Sequence, residues 1–258
     1  MSRLMIIPAA GAGSRLGSSL PKVLTLVNGR PMVDYLFDLY HEIIDIFILI
    51  VHPSFEGLVR EHCAGKPFRI EIEHQHSPTG MLDAILIPQE LVNSHHPQTV
   101  WVTWCDQIAV HPETVRKLRA LSDEDSEAAL ILPTVKKVNP YTHLVRNAEG
   151  DIIALLHRRE GDSIPERGES EMGLFCLSLD AYLRLLPQLS RDLKQGAETQ
   201  ERNFLPFISW LHGKGRVVTF AAKEEIEALG INTPEDLKHI EVYFRYARTK
   251  AVHCDSGL

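Results

Sequence analysis

A chain of 258 residues can bury a sizeable core as one large α/β domain or two small ones, and its 44% hydrophobic and 24% charged content excludes a disordered or fibrous design. A formal net charge of -7 argues against nucleic-acid backbones as the main partner, since these require a dense basic face. The longest apolar stretch, residues 46–51, is too short to cross a bilayer, and Pro8, Gly11 and Arg15 interrupt the amino terminus where a signal peptide needs a continuous apolar core; a cytoplasmic location is expected.

In chain order, residues 3–8 read as a buried strand and residues 31–43 as a helix, with Met32, Tyr35, Leu36, Leu39 and Ile43 at helical spacing and Pro31 in its first turn. A strand at 46–51 precedes a helix near 55–63, a strand at 68–73 precedes a helix after Thr79, and a strand at 99–105 precedes a helix at 112–121. Such alternation predicts βαβ units and a mostly parallel sheet covered by helices on both faces. After a central strand at 127–133 the pattern breaks into a polar region, 136–172, with turn signals at Asn139-Pro140 and Glu149-Gly150; this predicts a β-hairpin insertion at the edge of the sheet. A strand at 173–177, helices near 181–189 and 204–211, a strand at 216–221 and a helix from Pro234 to about Ala247 complete one domain of residues 1–249, with a loose tail at 250–258.

Cys63, Cys105, Cys176 and Cys254 have no Cys-x-x-Cys spacing, so they are expected to be free thiols. A strand would put His74 and His76 on one face, but no third ligand has a metal-site spacing, and solvated loop histidines are the expectation.

The stretch IIPAAGAGSRLGSSLPKVL ends a strand, spends Gly11, Gly13 and Gly17 in quick succession, and places Arg15 and Lys22 beside them, the pattern of a backbone that approaches phosphate. Its glycine spacing is not Gly-x-Gly-x-x-Gly, and no helix follows until Pro31, which counts against a dinucleotide site; no Gly-Lys-Ser/Thr closes a P-loop. Amides from Ala10 to Ser14 can instead cradle phosphates while Arg15 and Lys22 neutralise charge. Asp106, just past a strand end, is a carboxylate suited to magnesium, which takes few hard oxygen ligands; Asn232 adds an amide oxygen. Taken alone, both also read as helix caps.

Residues 9–15, Ala-Ala-Gly-Ala-Gly-Ser-Arg, with Pro21-Lys22-Val23-Leu24 closely resemble the signature of the nucleoside-triphosphate transferase family, and within it the pyrophosphorylase domain of the N-acetylglucosamine-1-phosphate uridyltransferases. Pro78-Thr79-Gly80, Trp104-Cys105-Asp106, Glu171-Met172-Gly173 and the segment from Gly230 to Leu237 extend the likeness. The resemblance implies a Rossmann-like, glycosyltransferase-A-like fold and an Mg²⁺-dependent transfer of a nucleoside monophosphate from a nucleoside triphosphate, UTP first, to a sugar 1-phosphate with release of pyrophosphate. It implies Arg15 and Lys22 as catalytic residues and Asp106 and Asn232 as metal ligands. Ala9, Ala10, Gly11, Ala12, Gly13, Ser14, Glu73, Thr79 and Gly80 fall at nucleotide-binding positions, and Tyr141, Glu171 and Gly173 at the sugar side.

The chain departs from that family at the substrates. Counting back from Thr79, the uracil-reading Gln position falls on Glu73 and the neighbouring Gly on Pro78; on this count a carboxylate would favour the amino group of cytosine, whereas a shifted register leaves the base to Gln75. Pro140-Tyr141-Thr142-His143 replaces Gly-Tyr-Gly-Arg, Leu156 stands for a Glu, and Glu171 for an Asn. A cytidylyltransferase acting on a sugar or alcohol phosphate and a non-catalytic nucleotide-binding protein remain the alternatives. No hexapeptide repeats are present, so acetyl transfer is not expected, and no oligomerisation signal stands out.

Overall fold

The structure, a computed structural model, describes residues 2–13, 16–17 and 20–255, with side chains to residue 246. The strands are β1 (Arg3–Pro8), β2 (Leu26–Val27), β3 (Arg30–Pro31), β4 (Ile46–Val51), β5 (Arg69–His74), β6 (Thr99–Thr103), β7 (Ala128–Val138), β8 (Thr142–Arg146), β9 (Ile152–His157), β10 (Arg167–Glu171), β11 (Leu174–Ser178) and β12 (Arg216–Ala221). The helices are α1 (Met32–Tyr40), α2 (Glu56–Cys63), α3 (Met81–Leu86), α4 (Gln89–His95), α5 (Pro112–Glu124), α6 (Leu186–Asp192), α7 (Pro206–Trp210) and α8 (Pro234–Asp255).

The central eight-stranded sheet runs β10-β7-β11-β6-β1-β4-β5, with β12 also on β7. Pairing is parallel along β6, β1, β4 and β5 and between β7 and β12, and antiparallel where β11 and β10 enter. Strands such as RLMIIP and IFILIV are buried along their whole length, as a sheet covered on both faces requires. Successive side chains feed opposite faces: Met5, Ile7, Phe47 and Leu49 pack with α1, α5 and α8, while Leu4, Ile6, Ile48 and Ile50 pack with α3, α6 and α7. The expected Rossmann-like α/β architecture is the one observed.

Three local expectations change. Within 136–172, the flanks belong to the central sheet, because β7 runs on to Val138 and β10 pairs with it in register from Arg167↔Val138 to Glu171↔Thr134. Only β8 and β9 form the hairpin, and they make a separate two-stranded sheet whose Leu144 and Ile152 pack into the core beside α7. At the carboxyl end α8 continues to Asp255, since no Gly or Pro interrupts residues 235–255. The short hairpin of β2 and β3 was not anticipated, although Asn28-Gly29, at φ 48° and 78°, is a strong two-residue turn signal.

Candidate active site

The carboxyl ends of β1 and β6 and the head of α8 converge on a cavity of about 680 Å³, the position where open α/β sheets receive ligands. Beyond β1 the chain forms the glycine loop. Ala9 is buried and spends its N–H on the Ile50 carbonyl (2.7 Å), so it supports the loop from below and does not line the cavity. Ala10, Gly11, Ala12 and Gly13 do line it. The loop closes where the Lys22 N–H donates to the Gly11 carbonyl (3.0 Å); at φ 64°, Gly13 passes so near that a Cβ there would lie 3.3 Å from the Lys22 Cα. Ser14 and Arg15 lie outside the described residues.

This closure aims Lys22 at the two oxygens expected to hold metal. Its Nζ donates to the Asp106 carboxylate and, at 2.9 Å, to Asn232 Oδ1. Neither residue is a helix cap. The helix after Asp106 starts at Pro112 and is capped by the His111 ring. At α8, Thr233 and Asp236 form the reciprocal cap: Asp236 Oδ2 accepts from Thr233 N–H (2.8 Å) and Asn232 N–H (3.0 Å), and Thr233 Oγ1 accepts from Asp236 N–H (3.2 Å). The Asn232 side chain is thereby left for the cavity. Gly230 permits the approach, because a Cβ there would stand 3.2 Å from Asp106 Oδ2.

Two hard oxygens converging on one cationic centre fit magnesium, which takes one or two carboxylates or carbonyls and completes its shell with phosphate and water. No group of three His, Cys, Asp or Glu side chains gathers among the described residues, and His74 and His76 are not part of such a group. The described cysteines, Cys63, Cys105 and Cys176, are free, and burial pushes the Cys105 thiol up to about 12, which removes it as a nucleophile at neutral pH.

At the next wall, the residues expected to read the base divide. Glu73 pairs with Ile50 at the sheet edge, half-buried, and is not part of the cavity lining. Gln75 is: it is 8% exposed, and its Nε2 donates to the Gly80 carbonyl (3.0 Å). Gly80 also lines the cavity at φ 120°, where a Cβ would fall 2.4 Å from the Arg202 nitrogen, whereas Thr79 lies outside the lining and its carbonyl accepts the Arg202 N–H at 2.8 Å. Of the two alternatives that the sequence leaves open, only Gln75 lines the cavity; period-2 alternation would put Glu73 and Gln75 on one face, but the chain leaves strand geometry at His74.

The opposite wall comes from 137–173. Tyr141 is exposed at its rim and stands edge-on to His157, with ring centroids 5.1 Å apart. Glu171 is buried: Oε2 accepts from Gly173 N–H (2.6 Å) and Oε1 from the Thr142 hydroxyl (3.1 Å), and burial raises the carboxyl above the usual carboxylate range. At φ 73°, Gly173 is pressed against Trp104, whose Cδ1 would lie 2.3 Å from any Cβ. Gln107, Lys137, Arg159 and Glu201 also line the cavity; they sit at no recognisable spacing, so the sequence offered no sign of Gln107, Lys137 or Glu201. The side-chain amide of Gln107 donates to the Met172 carbonyl, fixing the turn that carries Glu171 and Gly173.

Among the described residues no helix is long and apolar enough to cross a membrane. Over its full length the chain is 27% identical to a bifunctional GlmU protein of Clostridium perfringens, covering 55% of that protein. It is 28% identical over 98% of its length to the GlmU protein of Stenotrophomonas maltophilia, covering 54%, and 26% identical over 98% to that of Clostridioides difficile, again covering 54%. The chain thus spans about half the length of the curated relatives it matches. The model of the MobA-like NTP transferase domain matches residues 5–171, which hold the glycine loop, Lys22, Asp106 and Glu171, and the chain belongs to that family.

Proposed function

We propose that this protein transfers a nucleoside monophosphate from a nucleoside triphosphate, UTP before CTP, to the phosphate of a sugar 1-phosphate and releases pyrophosphate. The observation that carries this reading is the meeting of Lys22, Asp106 and Asn232 beneath the glycine loop, at the sheet's carboxyl edge. Attack of one phosphate on another concentrates negative charge and asks little covalent chemistry of a protein, so positioning and charge stabilisation dominate. Ala10 to Gly13 line the cavity, so their amides are the donors proposed for phosphate oxygens, and Lys22 carries the cation that follows charge onto the leaving group. Asp106 and Asn232 would hold Mg²⁺, which when bound neutralises phosphate oxygens as a Lewis acid.

UTP is favoured because Gln75, a side chain with both a donor and an acceptor, lines the cavity where Glu73 does not. The relatives' likeness supports the acceptor as a sugar phosphate. The test is a matrix of four nucleoside triphosphates against sugar 1-phosphates and alcohol phosphates, read by pyrophosphate release. Turnover with UTP and a sugar 1-phosphate is the expected result; exclusive use of CTP would replace the base reading, and nucleotide binding without release in any combination would leave a binding protein only.

A further inference from the structure

Asp106 and Asn232 sit on loops that are far apart in the chain, and one buried side chain ties the two loops together. Glu227 belongs to the helical turn Glu225–Ala228, just before Leu229 and Gly230 of the cavity lining, and it is fully buried. Its Oε1 accepts the Glu224 N–H at 2.6 Å, the contact expected of a Glu three residues after a helix cap. Capping does not account for the other oxygen. Oε2 crosses to the second loop and accepts the His111 N–H at 2.9 Å, where the loop that carries Asp106 ends and α5 begins. A carboxyl group is costly to bury unless its oxygens are hydrogen-bonded, so the two contacts fix the Asp106 loop against the segment that runs into Asn232. Two features of the site lie just beyond this tie: Ile231 N–H reaches the Asp106 carbonyl, and the Gly230 backbone passes close to Asp106 Oδ2.

We propose that Glu227 is a positioning residue that brings Asp106 and Asn232 to one cation, by holding the loop of the first against the loop of the second through the His111 N–H. The role rests on the reading above in which these two oxygens hold Mg²⁺. Magnesium takes a near-ideal octahedron with bonds of about 2.0–2.1 Å, so ligands offered by separate loops serve one ion only while the loops keep their spacing. Groups that orient metal ligands from behind are worth roughly 10- to 100-fold in metal affinity, which sets the size of effect expected here. Glu227 lies outside the cavity lining, so it acts through the loops and not by touching the nucleotide.

The experiment is calorimetric titration of the α,β-methylene analogues of UTP and CTP into wild type, Glu227→Gln, His111→Pro and His111→Ala, each with Mn²⁺ and with EDTA. The ratio of the two affinities measures what the metal contributes; partial unfolding lowers the stoichiometry and leaves that ratio alone. Glu227→Gln keeps the shape but turns an amide NH₂ toward one of the two N–H donors. His111→Pro deletes the donor from the other side, at a φ of -77° that proline accepts, and His111→Ala keeps the N–H while removing the ring. Glu227→Gln and His111→Pro are expected to lose roughly tenfold or more of the Mn²⁺ enhancement, with affinity in EDTA unchanged and His111→Ala like wild type. Amide exchange in residues 104–111 and 229–233 should quicken in the same two variants, a readout that needs no metal. A full Mn²⁺ enhancement in both variants overturns the positioning role and leaves the ion-holding reading intact. So does an equal loss of affinity with and without metal, or unchanged exchange in both segments. Wild type that binds nucleotide equally in Mn²⁺ and EDTA overturns the ion-holding reading, and the positioning role with it.

Discussion

The two walls of the cavity are built on different principles. The wall of the glycine loop and α8 is closed by hydrogen bonds that each use a backbone N–H: Lys22 N–H on the Gly11 carbonyl, the reciprocal Thr233–Asp236 cap in which side-chain oxygens accept, and Ile231 N–H on the Asp106 carbonyl (3.3 Å). Its functional side chains meet one another. The wall of residues 137–173 is made of side chains carried on a sheet extension and a hairpin, and among the described residues no hydrogen bond links its members Lys137, Arg159 and Tyr141 to one another. A wall fixed by backbone suits groups common to every nucleoside triphosphate, whereas one made of separate side chains can be altered residue by residue without disturbing the fold.

Breaking the first wall should have the largest effect. Asp106→Ala is expected to lower kcat roughly 10³-fold while leaving cooperative unfolding intact, since it removes charge stabilisation and no packing; near-normal turnover, or wild-type activity that survives excess EDTA, contradicts the role. Lys22→Ala should lower kcat by about 100-fold and raise the nucleotide KM far less, because the ammonium acts on charge that grows during transfer. A variant altered only in KM would place Lys22 in ground-state binding.

The second wall is sharpened by pH. Burial holds the proton on Glu171 to a higher pH than in the unfolded chain, so across that interval the folded protein carries more protons and its stability falls as pH rises. Glu171→Gln lacks this titration, so its melting temperature should gain on wild type, by a few degrees, as pH is raised from the ordinary glutamate range near about 4.3 toward neutrality. A difference that is constant with pH would mean that Glu171 titrates normally. The smallest effect is expected where the walls end: Glu73→Gln should leave the ratio of kcat/KM for UTP and CTP unchanged, whereas Gln75→Ala should raise the nucleotide KM about tenfold. A shift toward UTP in Glu73→Gln would return Glu73 to the base site.

The two walls also differ in how far they could be read from the chain. The succession of strands and helices in the α/β core follows from apolar runs alternating with helical periodicity, and the sequence alone points to Lys22, Asp106 and Asn232, the last 210 residues away from Lys22, which the fold brings into contact; the order of strands in the sheet does not follow from it. Local rules suffice there, because a glycine loop, a strand end and a Pro-started helix announce themselves. Residues 136–172 read as an insertion because polar side chains at Lys136, Lys137 and Glu169 break the alternation of strands whose outer halves leave the core. The choice between Glu73 and Gln75, and the place of Lys137 on the cavity wall, depend on tertiary placement, which periodicity does not encode.

The same 210-residue span bears on the order of synthesis. The glycine loop, Lys22 and Asp106 emerge from the ribosome first, and Asn232, with the α8 head that seats it beside Asp106, follows well after them. A nascent chain that has already paired β1, β4, β5 and β6 therefore holds Asp106 but not yet Asn232, one of the two oxygens proposed to hold the ion, until residues 230–236 dock. On the proposed function, docking of the α8 head is thus the step that would complete the ion-holding pair, and a chain that has not reached it would not yet consume nucleotide.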